Sequence, residues 1–151
     1  MTSTFQLRLY RDSDQEPSIA LWLETWKRAY PSIDFDARVA WWRERWRDEL
    51  VPHARVIVGE HRGAMAGFVT IDNAGYLDQL VVGPSHQGSP LATALVEEAK
   101  RLSPDGVTLK VNADNARAIR FYERNGFVDI GEDFNPGSKR PVRKMAWVPA
   151  R

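Results

Sequence analysis

The sequence predicts a single mixed α/β domain, and three observations carry that expectation. Apolar residues recur at period two in some stretches and at helical spacing in others, a strand–helix–strand run occupies the second half, and 151 residues suit one hydrophobic core. Residues 1–151 therefore read as one domain, without internal repeats or an interdomain linker.

Phe5, Leu7 and Leu9 alternate with Gln6 and Arg8, the pattern of a half-buried strand. Asp12, Ser13 and Asp14 then offer N-cap oxygens to a first helix, in which Ile19, Leu23, Trp26 and Tyr30 recur at helical spacing until Pro31. A second helix is expected over 36–50, where Val39, Trp42, Trp46 and Leu50 form an apolar stripe and Pro52 ends the run. Strands over 55–60 and 65–71 follow, joined by a turn at His61, Arg62 and Gly63, and a turn at 72–75 leads into a strand over 76–82. This is a β-meander. The next helix puts Leu91, Leu95, Ala99 and Leu102 on one face, and Pro104, Asp105 and Gly106 turn it into a strand over 107–111. The two strands flanking this helix should be parallel. Asp114 is the expected N-cap of the last helix and Gly126 fits the left-handed residue that closes it. Strands over 127–130 and 143–148 complete the sheet, and the loop Asn135, Pro136, Gly137 and Ser138 between them is a candidate for mobility.

Composition narrows the function classes. Hydrophobic residues make up 43% and charged residues 27%, with no apolar run near the roughly 20 residues that span a bilayer, so no membrane partner is expected. No secretory layout opens the chain and cysteine is absent, which leaves neither a disulfide framework nor a thiolate nucleophile and points to a cytoplasmic location. Lys and Arg total 21 against 20 Asp and Glu, a balance without the electrostatic footprint of a nucleic-acid binder. Lys139, Arg140, Arg143 and Lys144 form a local basic cluster, either a solvated edge or a contact for phosphates or an acidic acceptor. His53, His61 and His86 lack metal-ligand spacing, so no metal is expected.

The chemistry concentrates between Leu80 and Phe127. Leu80, Val81 and Val82 end a strand, and the chain turns through Gly83 to Ser89 into the helix that begins near Pro90. Such a turn aims free backbone N–H groups and a positive dipole end at its ligand, an arrangement suited to a pyrophosphate. Ser89 as N-cap and Pro90 as first helical residue would make a favoured helix start, while proline contributes no N–H. Asn115 and Tyr122 lie seven residues apart, about 10.5 Å along one helix face.

The run VVGPSHQGSPLATALVEEA, with VNADNARAIRFYERNGF after it, resembles the GNAT superfamily of N-acetyltransferases. The first run matches the family's pattern from Gln87 to Ala92, except that Pro90 stands where the family usually has its first glycine. The resemblance is sharp from about Gly75 to Phe127. It implies a mostly antiparallel central sheet flanked by about four helices, with a splayed parallel strand pair forming a cofactor cleft. It also implies acetyl-coenzyme A as cosubstrate and an amine acceptor, either a small molecule or a protein, that attacks the thioester directly. On this resemblance Leu80 offers its N–H to the acetyl carbonyl, and Val81 and Val82 border the pantetheine. Gln87, Gly88, Ser89, Leu91, Ala92 and Thr93 line the pyrophosphate turn, Asn115 bonds the coenzyme arm, and Tyr122 protonates the departing thiolate.

Strand parity groups Tyr76, Asp78, Leu80 and Val82 on one face, which makes Asp78 the candidate general base, directly or through water, with Glu24 as the alternative. Trp42 and Trp46 fit the core stripe of the second helix. Trp22 and Trp41 fit less well and are candidates to line an acceptor cleft or a homodimer contact. The competing functional reading is a noncatalytic acyl-coenzyme A binding or regulatory domain of the same fold.

Overall fold

A computed structural model of the chain describes residues 5–136 and 139–149. In chain order the elements are β1 (Phe5–Leu9), α1 (Gln15–Ala29), α2 (Val39–Arg45), β2 (Ala54–His61), β3 (Ala64–Asp72), β4 (Leu77–Val82), α3 (Leu91–Leu102), β5 (Val107–Asn112), α4 (Ala116–Arg124), β6 (Val128–Phe134) and β7 (Pro141–Trp147). This is the expected succession. Helix α2 does not stop at Leu50: it widens into a π turn at Trp46–Leu50 and closes in the turn Val51–His53, with Pro52 inside that last turn. Pro52 has no N–H to donate into the preceding turn, and the helical run ends directly after it, with Ala54 already extended. Among the described residues no helix is long and apolar enough to cross a membrane.

The strands form two antiparallel sheets, β1-β2-β3-β4 and β5-β7-β6. A parallel bridge between Tyr76 and Thr108 joins them, reinforced by the Thr108 N–H donating to Gly75 O at 2.8 Å. Gly75 is needed at this junction. Its φ is +81°, and a Cβ there would lie 2.7 Å from the carbonyl oxygen of Gly106. Beyond the bridge no described residue of β4 pairs with β5, so the expected parallel pair opens from its closed end toward Val82 and Asn112.

Alternation along β2, β3 and β4 sends side chains into two cores. Val56, Phe68 and Val81 join Ile19, Trp22, Trp42, Trp46 and Leu50 beneath α1 and α2. Ile57, Val69, Ile71, Leu77 and Val82 face the opposite way, toward Leu91, Leu95, Val96 and Ala99 of α3. That second core continues through Leu109, Val111, Met145, Tyr122 and Phe127. Trp22 belongs to the first core and is not a wall of an acceptor cleft: it is 5% exposed and stacks on Trp42 with centroids 4.7 Å apart. Its apolar ring contributes more buried against Trp42 than in water, at roughly 25 cal/mol per Å² removed. Trp41, in contrast, is 59% exposed.

Two glycines set the height of α3. Gly59 and Gly67 are cross-strand partners, and a Cβ on either would come within 2.6 Å of Leu91 Cδ1 or of Val81 O, respectively. The bare backbone lets Leu91, in the first turn of α3, rest on the sheet beside the end of β4.

Local details depart from the sequence expectations for physical reasons. The Asp14 carboxylate is not an N-cap acceptor for α1; it receives the Arg8 guanidinium at 2.7 and 2.8 Å and the Arg11 N–H at 2.8 Å, and is nearly buried. The N-cap of α4 is Asn115 rather than Asp114. In the β6–β7 connection, the Asn135 N–H donates to Arg140 O and the Lys139 N–H to Asn135 O, while Gly137 and Ser138 lie outside the described residues. The expected basic cluster is divided: Arg143 pairs with Asp129 and Glu132, and Arg140 sits 5.3 Å from the Tyr30 ring centroid.

Candidate active site

The open half of β4 is the centre of the site. Gly83 N–H donates to Ala66 O at 2.8 Å, which makes Gly83 and Ala66 a hydrogen-bonded pair of the antiparallel ladder. Such pairs alternate with non-bonded ones. In the register Phe68–Val81, Gly67–Val82 and Val69–Leu80, Val81 is therefore bonded to β3, whereas Leu80 and Val82 point their N–H and C=O groups away from it. They point into the gap where β5 has diverged. Among the predicted residues, Leu80 keeps its backbone N–H and C=O, and Val82 its N–H, for a ligand; Val81 does not, since its backbone is committed to Phe68 and its side chain is buried in the α1–α2 core.

Side-chain parity along β4 is broken. Ile71 faces Leu77 while Val69 faces Leu80, so β4 carries one residue more than β3 across this interval. Leu77, Leu80 and Val82 pack toward the α3 core, and Asp78 is turned to the other side. There Arg45 donates to it twice, at 2.6 and 3.2 Å, and the Gln79 side-chain amide donates at 2.9 Å. Asp78 thus does not share a face with Leu80 and Val82 as strict alternation required. Both of its oxygens are occupied. Glu24 is exposed on α1.

The turn after β4 is held from within. Gln87 Nε2 donates to the outward-pointing Val82 carbonyl at 2.6 Å, and Ser89 N–H donates to His86 O at 3.1 Å. Gly88 has φ of +78°, a conformation for which glycine carries no steric cost. Pro90 is the cap of α3 rather than its first helical residue: its carbonyl accepts the Ala94 N–H at 3.0 Å, while the Ser89 hydroxyl accepts the Leu91 N–H at 3.4 Å. Ser89 and Leu91 N–H groups are consequently used inside the turn. The N–H groups of Gly88, Ala92 and Thr93 have no acceptor among the described residues. Three donors at a helix N-terminus fit the diphosphate of a coenzyme A molecule, even with proline at position 90.

Tyr122 on α4 and Asn115 at its N-cap stand across the gap. The Tyr122 ring is buried against Phe121 and Phe127, with centroids at 5.3 and 5.6 Å, in the same core as Val82 and Val111. Its hydroxyl bonds no described residue, and the residue as a whole is buried, at 9% exposure. Burial pushes this phenol well above its ordinary pKa, so it remains protonated. Asn115 Oδ1 accepts the Ala118 N–H at 3.2 Å as the N-cap, which leaves its Nδ2 as the group available to a ligand. Nothing in the spacing distinguished this residue from Asp114 as the cap.

The structure also assembles groups that sequence reasoning kept apart. His86 of the turn and His61 of β2 have ring centroids 5.1 Å apart, and both contact Phe5. Asn112, at the end of β5, donates to the Tyr30 hydroxyl at 2.9 Å, tying the C-terminus of α1 to the mouth of the gap. No local pattern signals these contacts, because their partners are 25 and 82 residues apart.

Residues 9–127 match the model of the acetyltransferase (GNAT) family. Peptidyl-lysine N-acetyltransferase YiaC of Escherichia coli (strain K12) is 26% identical over 144 residues, covering 93% of this chain and 95% of the relative. Peptidyl-lysine N-acetyltransferase YjaB of the same strain is 26% identical over 147 residues, covering 95% and 97%. The fold agrees with the solution structure of apo-form YjaB from Escherichia coli, at TM-score 0.77 and 24% identity over 98% of this chain and 100% of that one. It also agrees with PaiA N-acetyltransferase from Thermoplasma acidophilum in complex with coenzyme A, at TM-score 0.75 and 19% identity over 97% and 100%. The chain belongs to the acetyltransferase (GNAT) family.

Proposed function

We propose that this protein transfers an acetyl group from acetyl-coenzyme A to a primary amine by direct attack, with a protein lysine as the favoured acceptor class. The observation that carries the reading is the opened edge of β4, where Leu80 and Val82 turn their backbone groups away from β3 in the core that also holds Tyr122. Acetyl-coenzyme A supplies the activated acyl group as a thioester. The Val82 N–H pairs with the pantetheine arm, and the free N–H groups of Gly88, Ala92 and Thr93 take the diphosphate. Leu80 N–H stabilises the negative charge that develops on the acyl oxygen as the amine attacks. Tyr122 gives its proton to the leaving sulfur. The proton lost by the amine leaves through water near Asp78, whose own oxygens are held by Arg45 and Gln79.

The lysine preference draws on YiaC and YjaB, both peptidyl-lysine N-acetyltransferases. Their names, and the family match, disfavour the noncatalytic reading. Titration calorimetry tests the cofactor half: we expect one acetyl-coenzyme A per chain, and a thermal stabilisation of about 2.7 kcal/mol at 100 times Kd. No heat and no melting shift at millimolar cofactor would refute it.

A further inference from the structure

We infer that Thr70, Arg45 and Asp78 are positioning residues for the transfer reaction, because they hold the extra residue of β4 that turns the Leu80 N–H out of the sheet and into the cleft. The inference rests on the role proposed above for Leu80. Continued without interruption from the Ile71–Leu77 pair, the ladder would set Val69 opposite Gln79 and Phe68 opposite Leu80. The Phe68 position belongs to a hydrogen-bonded pair, so an uninterrupted Leu80 would direct its N–H at β3. The added residue places Leu80 opposite Val69 instead, a non-bonded position, and reverses that direction.

A bulge leaves its own backbone groups outside the ladder, so something else must satisfy and hold them. Thr70 does this from β3: its hydroxyl accepts the Gln79 N–H at 3.0 Å, and the residue is fully buried. Arg45 does it from the helical layer. Its two nitrogens grip Asp78 in a bidentate pair, and its guanidinium lies 5.4 Å from the ring centroid of Trp42, which is fixed in the α1–α2 core. Gln79 closes the loop by donating its side-chain amide to Asp78. Arg45 is also the last residue of α2 before the π turn, so an irregularity in the helix and an irregularity in the strand meet at one ion pair. The Arg45 contact with Glu49 is longer, at 3.5 Å, and Glu49 is largely exposed, so the pair with Asp78 is the one that fixes the guanidinium.

Losing an oxyanion donor outright lowers turnover about 10²- to 10³-fold, and a displacement of about 1 Å lowers it up to 10²-fold. Thr70→Val and Arg45→Gln should therefore lower kcat for acetylation of a lysine-containing peptide at least about tenfold. KM for acetyl-coenzyme A should stay within about threefold. Thr70→Ser, which keeps the hydroxyl, should retain kcat within about threefold. In ¹⁵N-labelled protein the Gln79 and Leu80 amide resonances should move in Thr70→Val and Arg45→Gln but not in Thr70→Ser, a readout that a general loss of stability would spread over the whole chain. Arg45→Gln keeps the test open should Thr70→Val fail to fold. Folded variants with wild-type kcat and unmoved Gln79 and Leu80 amides would overturn the inference. A wild-type Leu80 amide that does not respond to acetyl-coenzyme A would overturn the role of Leu80 itself, and it would do so without any variant.

Discussion

Replacing Tyr122 by Phe separates chemistry from folding unusually cleanly. The hydroxyl makes no hydrogen bond to a described residue, so its removal costs none of the roughly 0.5–1.5 kcal/mol that a typical protein hydrogen bond contributes. The ring contacts with Phe121 and Phe127 are retained, and the melting temperature should stay close to that of the wild type. On the role proposed for Tyr122, the reaction loses its acid. General acid–base groups contribute about 10²- to 10⁴-fold, so even the lower bound corresponds to about 2.7 kcal/mol in the barrier. We expect kcat to fall about 10²-fold or more while the affinity for acetyl-coenzyme A changes within a few fold. The absence of cysteine from the chain makes the assay direct, because a thiol reagent reports only the coenzyme released. A Phe variant with kcat within about threefold of wild type would refute the assignment of Tyr122 as the acid.

Other expectations concern the cofactor turn and the ionisable groups. Pro90→Gly should supply a fourth N–H beside those of Gly88, Ala92 and Thr93; a charge-assisted bond of about 1.5–3 kcal/mol outweighs the roughly 0.4–1 kcal/mol of lost preorganisation, so calorimetry should show tighter acetyl-coenzyme A binding, and unchanged or weaker binding would place residue 90 away from the diphosphate. Asn115→Ala should lower stability by about 1 kcal/mol through loss of the cap to Ala118, whereas Asn115→Asp should keep that stability and weaken acetyl-coenzyme A binding only, as measured by melting and titration side by side. Burial raises the Tyr122 phenol above its ordinary value and pushes Tyr76 up to about 12. The native chain thus holds more protons than the unfolded chain above about pH 10, so the stabilisation present below that pH should be lost as pH rises toward and beyond 12. Denaturant midpoints that stay constant from pH 9 to pH 11.5 would contradict it.

The parts of the fold visible in the sequence are those governed by periodicity and punctuation. Phe5, Leu7 and Leu9 announce β1, the stripe of Trp42, Trp46 and Leu50 announces the second helix, and Gln87–Gly88 marks the turn into α3. Gly126 closes α4 at φ of +90°, as its position suggested. What remained hidden depends on contacts made at a distance. The extra residue in β4 leaves no mark in the order Leu77, Asp78, Gln79, Leu80, because it is held by Thr70 from another strand and by Arg45 from a helix. Strict alternation therefore put Asp78 on one face with Leu80, as a candidate base or an ion-paired carboxylate, and could not name Arg45 as its partner. Trp22 looked unpartnered for a related reason: its stack on Trp42 joins two helices, and helical spacing within either one cannot reveal it. At Ser89 and Pro90 the difference is a single residue, which decides whether the Ser89 and Leu91 N–H groups face a ligand or close the turn.

Direct transfer requires that acetyl leave coenzyme A and arrive on an amine. Incubating the protein with acetyl-coenzyme A and a panel of lysine peptides and small amines, then following free thiol and acetylated product together by mass spectrometry, tests it most directly. We predict one acetylated amine for each thiol released, with a lysine peptide as the preferred acceptor and the signal lost in Tyr122→Phe. Saturable binding of acetyl-coenzyme A with no acetylated amine anywhere in the panel would rule out acetyl transfer to these amines.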